Sequence, residues 1–281
     1  MNGTIYLCHT SCDILNAGTL TSYLATVTSW VQTHPYDVVT ILIENGDYVD
    51  VEKFVSPIQA SGIDQYVYHP PQIPMGLNDW PSLASMILSG QRVVIFMDYQ
   101  ANQTSTPWII DEFSQMWETP FDPTNRSFPC TVQRPPDLSP QDATKRLYMM
   151  NHNLNQQVSL LGVSLLIPLK PLLPVTNNVS GYGSLGQSAG NCYEDWVSLA
   201  IPNLKEWQSD YAKGRAPNFL NVDYYNNGSG TVFEVAAKWN NVTWTKPCCG
   251  LVTSGAESIF NVFHRSAITL AGVVVALLIF L

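Results

Sequence analysis

The chain has 281 residues, with 13 Lys+Arg against 22 Asp+Glu and a formal net charge of −9. Hydrophobic residues make up 46% and charged residues only 12%. That mix excludes a disordered chain, which needs low apolar content and high charge. It also argues against a nucleic-acid binder, since phosphate neutralisation needs clustered Lys and Arg.

Taken in chain order, residues 4–9 read as a first buried strand, ending in His9 between Cys8 and Cys12. Leu20, Tyr23, Leu24, Val27, Trp30 and Val31 recur at helical spacing, which predicts a helix over about residues 19–33, stopped by Pro35. Residues 38–44, 93–98 and 147–152 are near-continuous apolar runs, as in strands covered on both faces, and residues 219–223 make a fifth strand. Ahead of the third strand, Asn78 or Asp79 can cap a helix with Pro81 in its first turn; Leu83, Met86 and Ile87 supply its apolar face and Gly90 its end. A weaker helix is expected over 155–165 and another over 194–212, interrupted by Pro202. Residues 101–142 and 174–191 read as surface excursions, and the Gly/Ser-rich run 184–190 as a flexible loop. Strands alternating with helices imply crossover units and a parallel sheet.

Each apolar strand ends in a residue able to do chemistry: His9, Glu44, Asp98, Asn151 with His152, and Asp223. In a barrel of parallel strands such ends converge on one face, where active sites form. Taken singly, each is also what a strand shows where it meets water. An imidazole at His9 suits general acid or base work, because its ordinary pKa is near neutrality. Glu44 and Asp98 are candidates to bind a hard cation or to orient the histidine; Asp223 is a further candidate to orient it, and His152 another site candidate. Cys8, His9 and Cys12 lack the fourth ligand of a zinc site. A glycosidase pair made of Glu44 and Asp98 would leave His9 without a role.

Signals of compartment lie outside these elements. Asn-x-Ser/Thr sequons occur at Asn2, Asn102, Asn125, Asn178, Asn227 and Asn241, and such a number leans toward a secretory route. The 6 cysteines fit disulfides in the same compartment, with the pairing left open. Residues 266–281 carry no charge and end the chain; upstream lie Ser254-Gly255-Ala256 and a spacer over 257–265. That order matches a GPI-attachment signal, with a tail-anchoring helix from residue 259 as the alternative. The first residues have no basic, apolar leader. The expected organisation is a catalytic-type domain over 1–226, a Gly/Asn/Thr-rich region over 227–256 and a hydrophobic tail over 257–281.

Tyr6-Leu7-Cys8-His9-Thr10-Ser11-Cys12, the helix after it and Tyr36 to Asn45 resemble the phosphatidylinositol-specific phospholipase C X-domain-like phosphodiesterases, in particular the secreted, GPI-anchored fungal branch. Phe128-Pro129-Cys130-Thr131, the run 147–154 and the run 217–225 extend the resemblance across residues 4–226. The resemblance implies an α/β fold, a TIM-like (β/α)8 barrel, here expected to lack its first two strands and to carry a C-terminal hydrophobic tail. It implies a phosphoric diester hydrolase acting on a phospholipid or glycerophosphodiester through two histidines, with an arginine or Ca2+ neutralising the phosphoryl oxygens. His9 resembles the second histidine, the general acid. Glu44 lies where a cation ligand sits in calcium-dependent relatives, and Asp223 resembles an orienting carboxylate. The family's first histidine belongs to a segment with no counterpart here, so the expectation is a chain that has lost its beginning. The alternative is a catalytically inactive, glycosylated, GPI-anchored surface protein. The expected partners are the lipid or diester substrate and a membrane reached through the tail, with no nucleic acid.

Overall fold

A computed structural model describes residues 3–9, 11–160, 163–199, 215–227, 231–245 and 278–280. The chain falls into two compact units, one built from residues 1–117, 141–147 and 272–281, the other from 118–140 and 148–271.

In the first unit the expected helix runs over Leu20–Thr33. Thr19 caps it, its side chain accepting from Ser22 N at 3.1 Å. The other end is closed by Arg92, a residue distant in sequence. Its guanidinium donates to Val31 O at 2.7 Å, His34 O at 2.8 Å and Asp37 O at 3.1 Å. A buried cation thus satisfies carbonyls that the last turn leaves open. Strands β3 (Val39–Glu44) and β4 (Val93–Met97) pair in parallel from Val39↔Val93 to Ile43↔Met97, and β5 (Ile109–Asp111) joins β4. Ile41, Ile43, Ile95 and Met97 share a core with Leu20, Leu24 and Val31 of the helix. On the opposite pleat Leu42, Val94 and Phe96 are also buried, and the Trp80 ring lies 5.9 Å from that of Phe96. Both faces are covered, which is why these strands read as unbroken apolar runs. Strand β11 (Leu278–Phe280) pairs with Leu42–Glu44 and gives the order β11-β3-β4-β5.

Three local expectations change here. The first run forms β1 (Tyr6–His9), but it pairs antiparallel with β2 (Ser11–Thr19). A Cys8–Cys12 disulfide and the His9↔Ser11 pair turn the chain straight back on itself. The helix before β4 is Leu83–Ser89, capped by Ser82 accepting from Ser85 N at 3.2 Å. Asp79 is engaged elsewhere, accepting from Gly76 N at 2.7 Å and Gln72 Nε2 at 2.8 Å. Gly90 ends this helix as expected, at φ 76 in the left-handed region. A helix over Glu52–Ala60, with Pro57 inside it, had no clear sequence signature.

Strands β6 (Met116–Glu118), β7 (Leu147–Asn151) and β10 (Phe219–Asn221) form a three-stranded sheet in the order β10-β7-β6, with β10 and β7 parallel. The described residues of 155–165 are not helical. They belong to an antiparallel hairpin of β8 (Asn155–Leu160) and β9 (Val163–Pro168). A helix over Leu185–Leu199 begins inside the run expected to be loop, and Cys130–Cys192 ties it to the segment before β7. A further helix spans Thr231–Trp239.

The barrel expectation is overturned. Among the described residues the strands form four separate sheets, some parallel and some antiparallel, rather than one closed ring. The strand expected to bring His9 into a parallel barrel is instead half of a disulfide-braced hairpin. The segment 155–165, expected to be a helix, is a two-stranded ribbon of its own. Cys248, Cys249 and residues 257–277, with the expected attachment signal, lie outside the described residues. Among those described, no helix is long and apolar enough to cross a membrane.

Candidate functional site

In the first unit two strand ends meet. β3 ends in Glu44, followed by Asn45; β4 is followed by Asp98 and Tyr99. Asp98 Oδ1 accepts from Asn45 N at 2.7 Å and from Tyr99 N at 2.8 Å. Asn45 is fully buried, and its amide donates to Val49 O at 2.7 Å and Tyr99 O at 3.0 Å. A carboxylate in this position closes backbone donors that the sheet leaves unpaired beyond its last rung. Glu44 is also buried. The structure therefore places the two carboxylates expected to bind a cation on adjacent strand ends. Ca2+ takes six to eight oxygen ligands. Among the described residues no three His, Cys, Asp or Glu side chains gather closely enough to hold a metal ion, and Glu44 with Asp98 alone falls short of such a shell.

In the second unit the strand ends carry a ladder that register creates. Asn221 lies opposite Asn151 in the β10–β7 pairing and donates to its Oδ1 at 2.8 Å. Asn151 in turn donates to Glu118 Oε2 at 2.9 Å and to Thr119 O at 3.0 Å. Glu118, fully buried, accepts an ion-paired hydrogen bond from Arg134 at 3.3 Å. The guanidinium stacks over the Phe121 ring, 4.6 Å from its centre. Three polar side chains from three strands are thus wired to one cation. Such a chain is rigid when fully satisfied. Sequence reasoning singled out Asn151 but neither Glu118 nor Asn221.

Asp223 lies two residues past β10. Its Oδ2 is buried without a hydrogen-bond partner among the described residues. Burial, reinforced by the neighbouring Asp122 carboxylate, pushes its pKa up to about 6. Asp122 itself accepts from Asn153 Nδ2 at 3.2 Å. This is a carboxyl group whose charge changes near neutrality, a property suited to handling protons or orienting an imidazole.

His152 faces a different environment. Its ring is fully buried and stacked on Phe128 with centroids 3.6 Å apart, and Nε2 lies 3.0 Å from Ser188 Oγ. Burial pushes its pKa down to about 3, so it stays neutral. It packs as a core histidine. The backbone of His9 ends β1, and its side chain lies outside what the structure describes.

Comparison with known proteins decides the family. The PI-PLC X 1 family model matches residues 1–240. The chain belongs to the PI-PLC X family. The match takes in His9 and the polar strand ends of both units. Similar to the chain is an "Uncharacterized secreted protein" of Arthroderma benhamiae, 53% identical over 264 residues that cover 93% of this chain and 56% of the relative. A "PI-PLC X domain-containing protein 1" of the same fungus is 38% identical over 193 residues, covering 68% and 61%. A PI-PLC X domain-containing protein of Arabidopsis thaliana is 25% identical over 264 residues, covering 91% and 52%. The chain therefore spans between about half and three-fifths of the length of these curated relatives. No solved structure matches.

Proposed function

We propose that this PI-PLC X chain belongs to a phosphoric diester hydrolase that cleaves a phospholipid or a glycerophosphodiester by histidine acid–base catalysis. The observation that carries the reading is the family match over residues 1–240, which includes the His9 segment and the polar strand ends. In the proposed reaction a hydroxyl gives its proton to a general base, the role of the family's first histidine, and its oxygen attacks phosphorus while the bond from phosphorus to the leaving oxygen breaks. His9 gives its proton to that leaving oxygen. Asp223 is a further carboxyl group proposed to act in the reaction, with burial and the neighbouring Asp122 holding its pKa at about 6. The Asp98 clamp holds the ends of β3 and β4 together beside Glu44, and the Glu118–Asn151–Asn221 ladder does the same for the second sheet. A secretory location is part of the proposal. It is supported by the relative named as secreted, by two disulfides among the described residues and by the sequons.

The test uses the full-length protein with phosphatidylinositol and, separately, glycerophosphoinositol as substrates. His9→Ala is expected to lower kcat by roughly 10²-fold or more, the scale of general acid catalysis, with an unchanged circular dichroism spectrum. Unchanged turnover in a folded His9→Ala variant removes the assignment. A wild-type protein that cleaves neither substrate favours the inactive surface glycoprotein instead.

A further inference from the structure

We propose that the folded chain carries N-linked glycans at Asn102, Asn125 and Asn241, and none at Asn178. The proposal rests on the secretory location set out above, where the transferase meets its donor, a lipid-linked diphospho-oligosaccharide. Asparagine Nδ2 loses a proton and bonds to the anomeric carbon as the bond from that carbon to the diphosphate breaks. The lipid diphosphate is the leaving group. The triplet Asn-x-Ser/Thr is required, and the fold must then keep a bulky, hydrated group in water. Exposure and packing sort the sequons.

Asn102 and Thr104 are both exposed, and Asn102 Oδ1 accepts from Thr104 N at 3.0 Å and Ser105 N at 3.2 Å. The turn is held by Thr106 N donating to Asn102 O at 2.8 Å and Ser105 Oγ to Glu52 Oε1 at 2.6 Å. Asn125 repeats the arrangement: it and Ser127 are exposed, and its Oδ1 accepts from Ser127 N at 2.9 Å. Such turns engage the amide oxygen. Nδ2, the atom that takes the sugar, is left unbonded among the described residues. Asn241 lies two residues past the helix Thr231–Trp239, at φ 54, a left-handed conformation that asparagine tolerates. It and Thr243 are exposed, and a glycan there stands beside Val242, 61% exposed, and Trp244, 37% exposed. Asn178 differs. It is half-buried next to the fully buried Asn177, and its carbonyl accepts from Gly186 N at 3.1 Å. A Cβ at Gly186 would collide with Val179 O, so this segment lies hard against the helix Leu185–Leu199. An oligosaccharide on Asn178 would have to break that packing. Asn2, and the Ser229 that completes the Asn227 triplet, lie outside the described residues. Charge gives an independent reason for sugar on this surface. Charged residues are 12% of the chain, against roughly 25% in soluble proteins. Glycans supply polar surface that the side chains do not.

The full-length protein is produced in a yeast host twice, once with its own N-terminus and once behind a heterologous secretion leader. PNGase F digestion in heavy-oxygen water turns each glycosylated asparagine into a labelled aspartate, which peptide mass spectrometry locates. Label is expected at positions 102, 125 and 241 and not at 178. Asn102→Gln, Asn125→Gln and Asn241→Gln should each remove one glycan from the intact mass, and Asn178→Gln none. Ser127→Thr should keep the glycan at 125 and Ser127→Ala should lose it. A leader-directed, secreted protein that is bare at any of the three positions, or glycosylated at 178, overturns the assignment there. A protein that stays in the cytosol, bare, with its own N-terminus overturns the glycosylation together with the secretory location. Neither measurement needs turnover, so the catalytic reading stands or falls separately.

Discussion

Removing the Asp98 carboxylate separates a structural role from a chemical one. Its Oδ1 accepts from Asn45 N at 2.7 Å and Tyr99 N at 2.8 Å, and Asp98 itself is only 7% exposed. Asp98→Ala leaves both donors without that acceptor. Asn45 is fully buried, so its N–H carries the full penalty, while the half-buried Tyr99 recovers part of its own from water. At about 1–3 kcal/mol for each orphaned buried group, the expected loss is about 2–4 kcal/mol. Asp98→Asn keeps an acceptor in the same place and loses only the charge assistance, about 1 kcal/mol. For a chain of this size each kcal/mol lowers Tm by roughly 2–4 °C, so the alanine variant should melt roughly 10 °C early and the asparagine variant only a few degrees early. Thermal and urea unfolding followed by circular dichroism read both. An alanine variant melting within about 2 °C of wild type refutes the clamp, since that is less than one orphaned donor should cost. If Asp98→Asn keeps its stability but loses the proposed hydrolysis, the carboxylate acts on the reaction as well as on the fold.

Two more outcomes follow from the same physics. Cys130–Cys192 spans 62 positions and Cys8–Cys12 spans 4. Loop-closure entropy then predicts that replacing the longer pair by alanines costs about 4 kcal/mol and the shorter pair about 2 kcal/mol; a reversed order in urea midpoints under matched conditions would show that this entropy does not govern the difference. Asp223 binds its proton more tightly in the folded chain than in the unfolded one, with a folded pKa of about 6. Both states are protonated at low pH, so its contribution is neutral there. As pH rises from the ordinary carboxylate range through about 6, the unfolded chain loses that proton first and stability declines, levelling off above. Asp223→Asn should remove this decline and be more stable than wild type at neutral pH but not near pH 4. Parallel stability profiles across that range would contradict the raised pKa.

Much of the fold was legible because the signals are local. The helix Leu20–Thr33 and strands β3, β4, β7 and β10 follow from apolar spacing within short windows. The failures are equally physical. Val158, Leu161 and Leu165 stand at i, i+3 and i+7, so the segment fits a helical stripe as well as a strand, and only its pairing with β9 decides. Strands β5 and β6 have three residues each, too few to show any period, and they hide in a stretch that reads as surface excursion. Glu118 was missed for that reason. His152, a further site candidate in the sequence, stacks its ring on Phe128 and sets Nε2 3.0 Å from Ser188 Oγ, partners distant in the chain that no local pattern announces.

By itself the sequence determined where the apolar runs lie, which polar residue ends each run, and the segments that place the chain in the PI-PLC X family. Those properties belong to neighbours in the chain, and backbone geometry ties them to a period of two or 3.6. Only the tertiary structure decided which strand lies beside which. Asn151 reaches Glu118 across 33 positions and Asn221 across 70, and Arg92 reaches Val31 across 61 to close the helix ending at Thr33. Partners so far apart are chosen by register and burial, where a polar group cut off from water is costly unless it finds a match. No local pattern carries that choice.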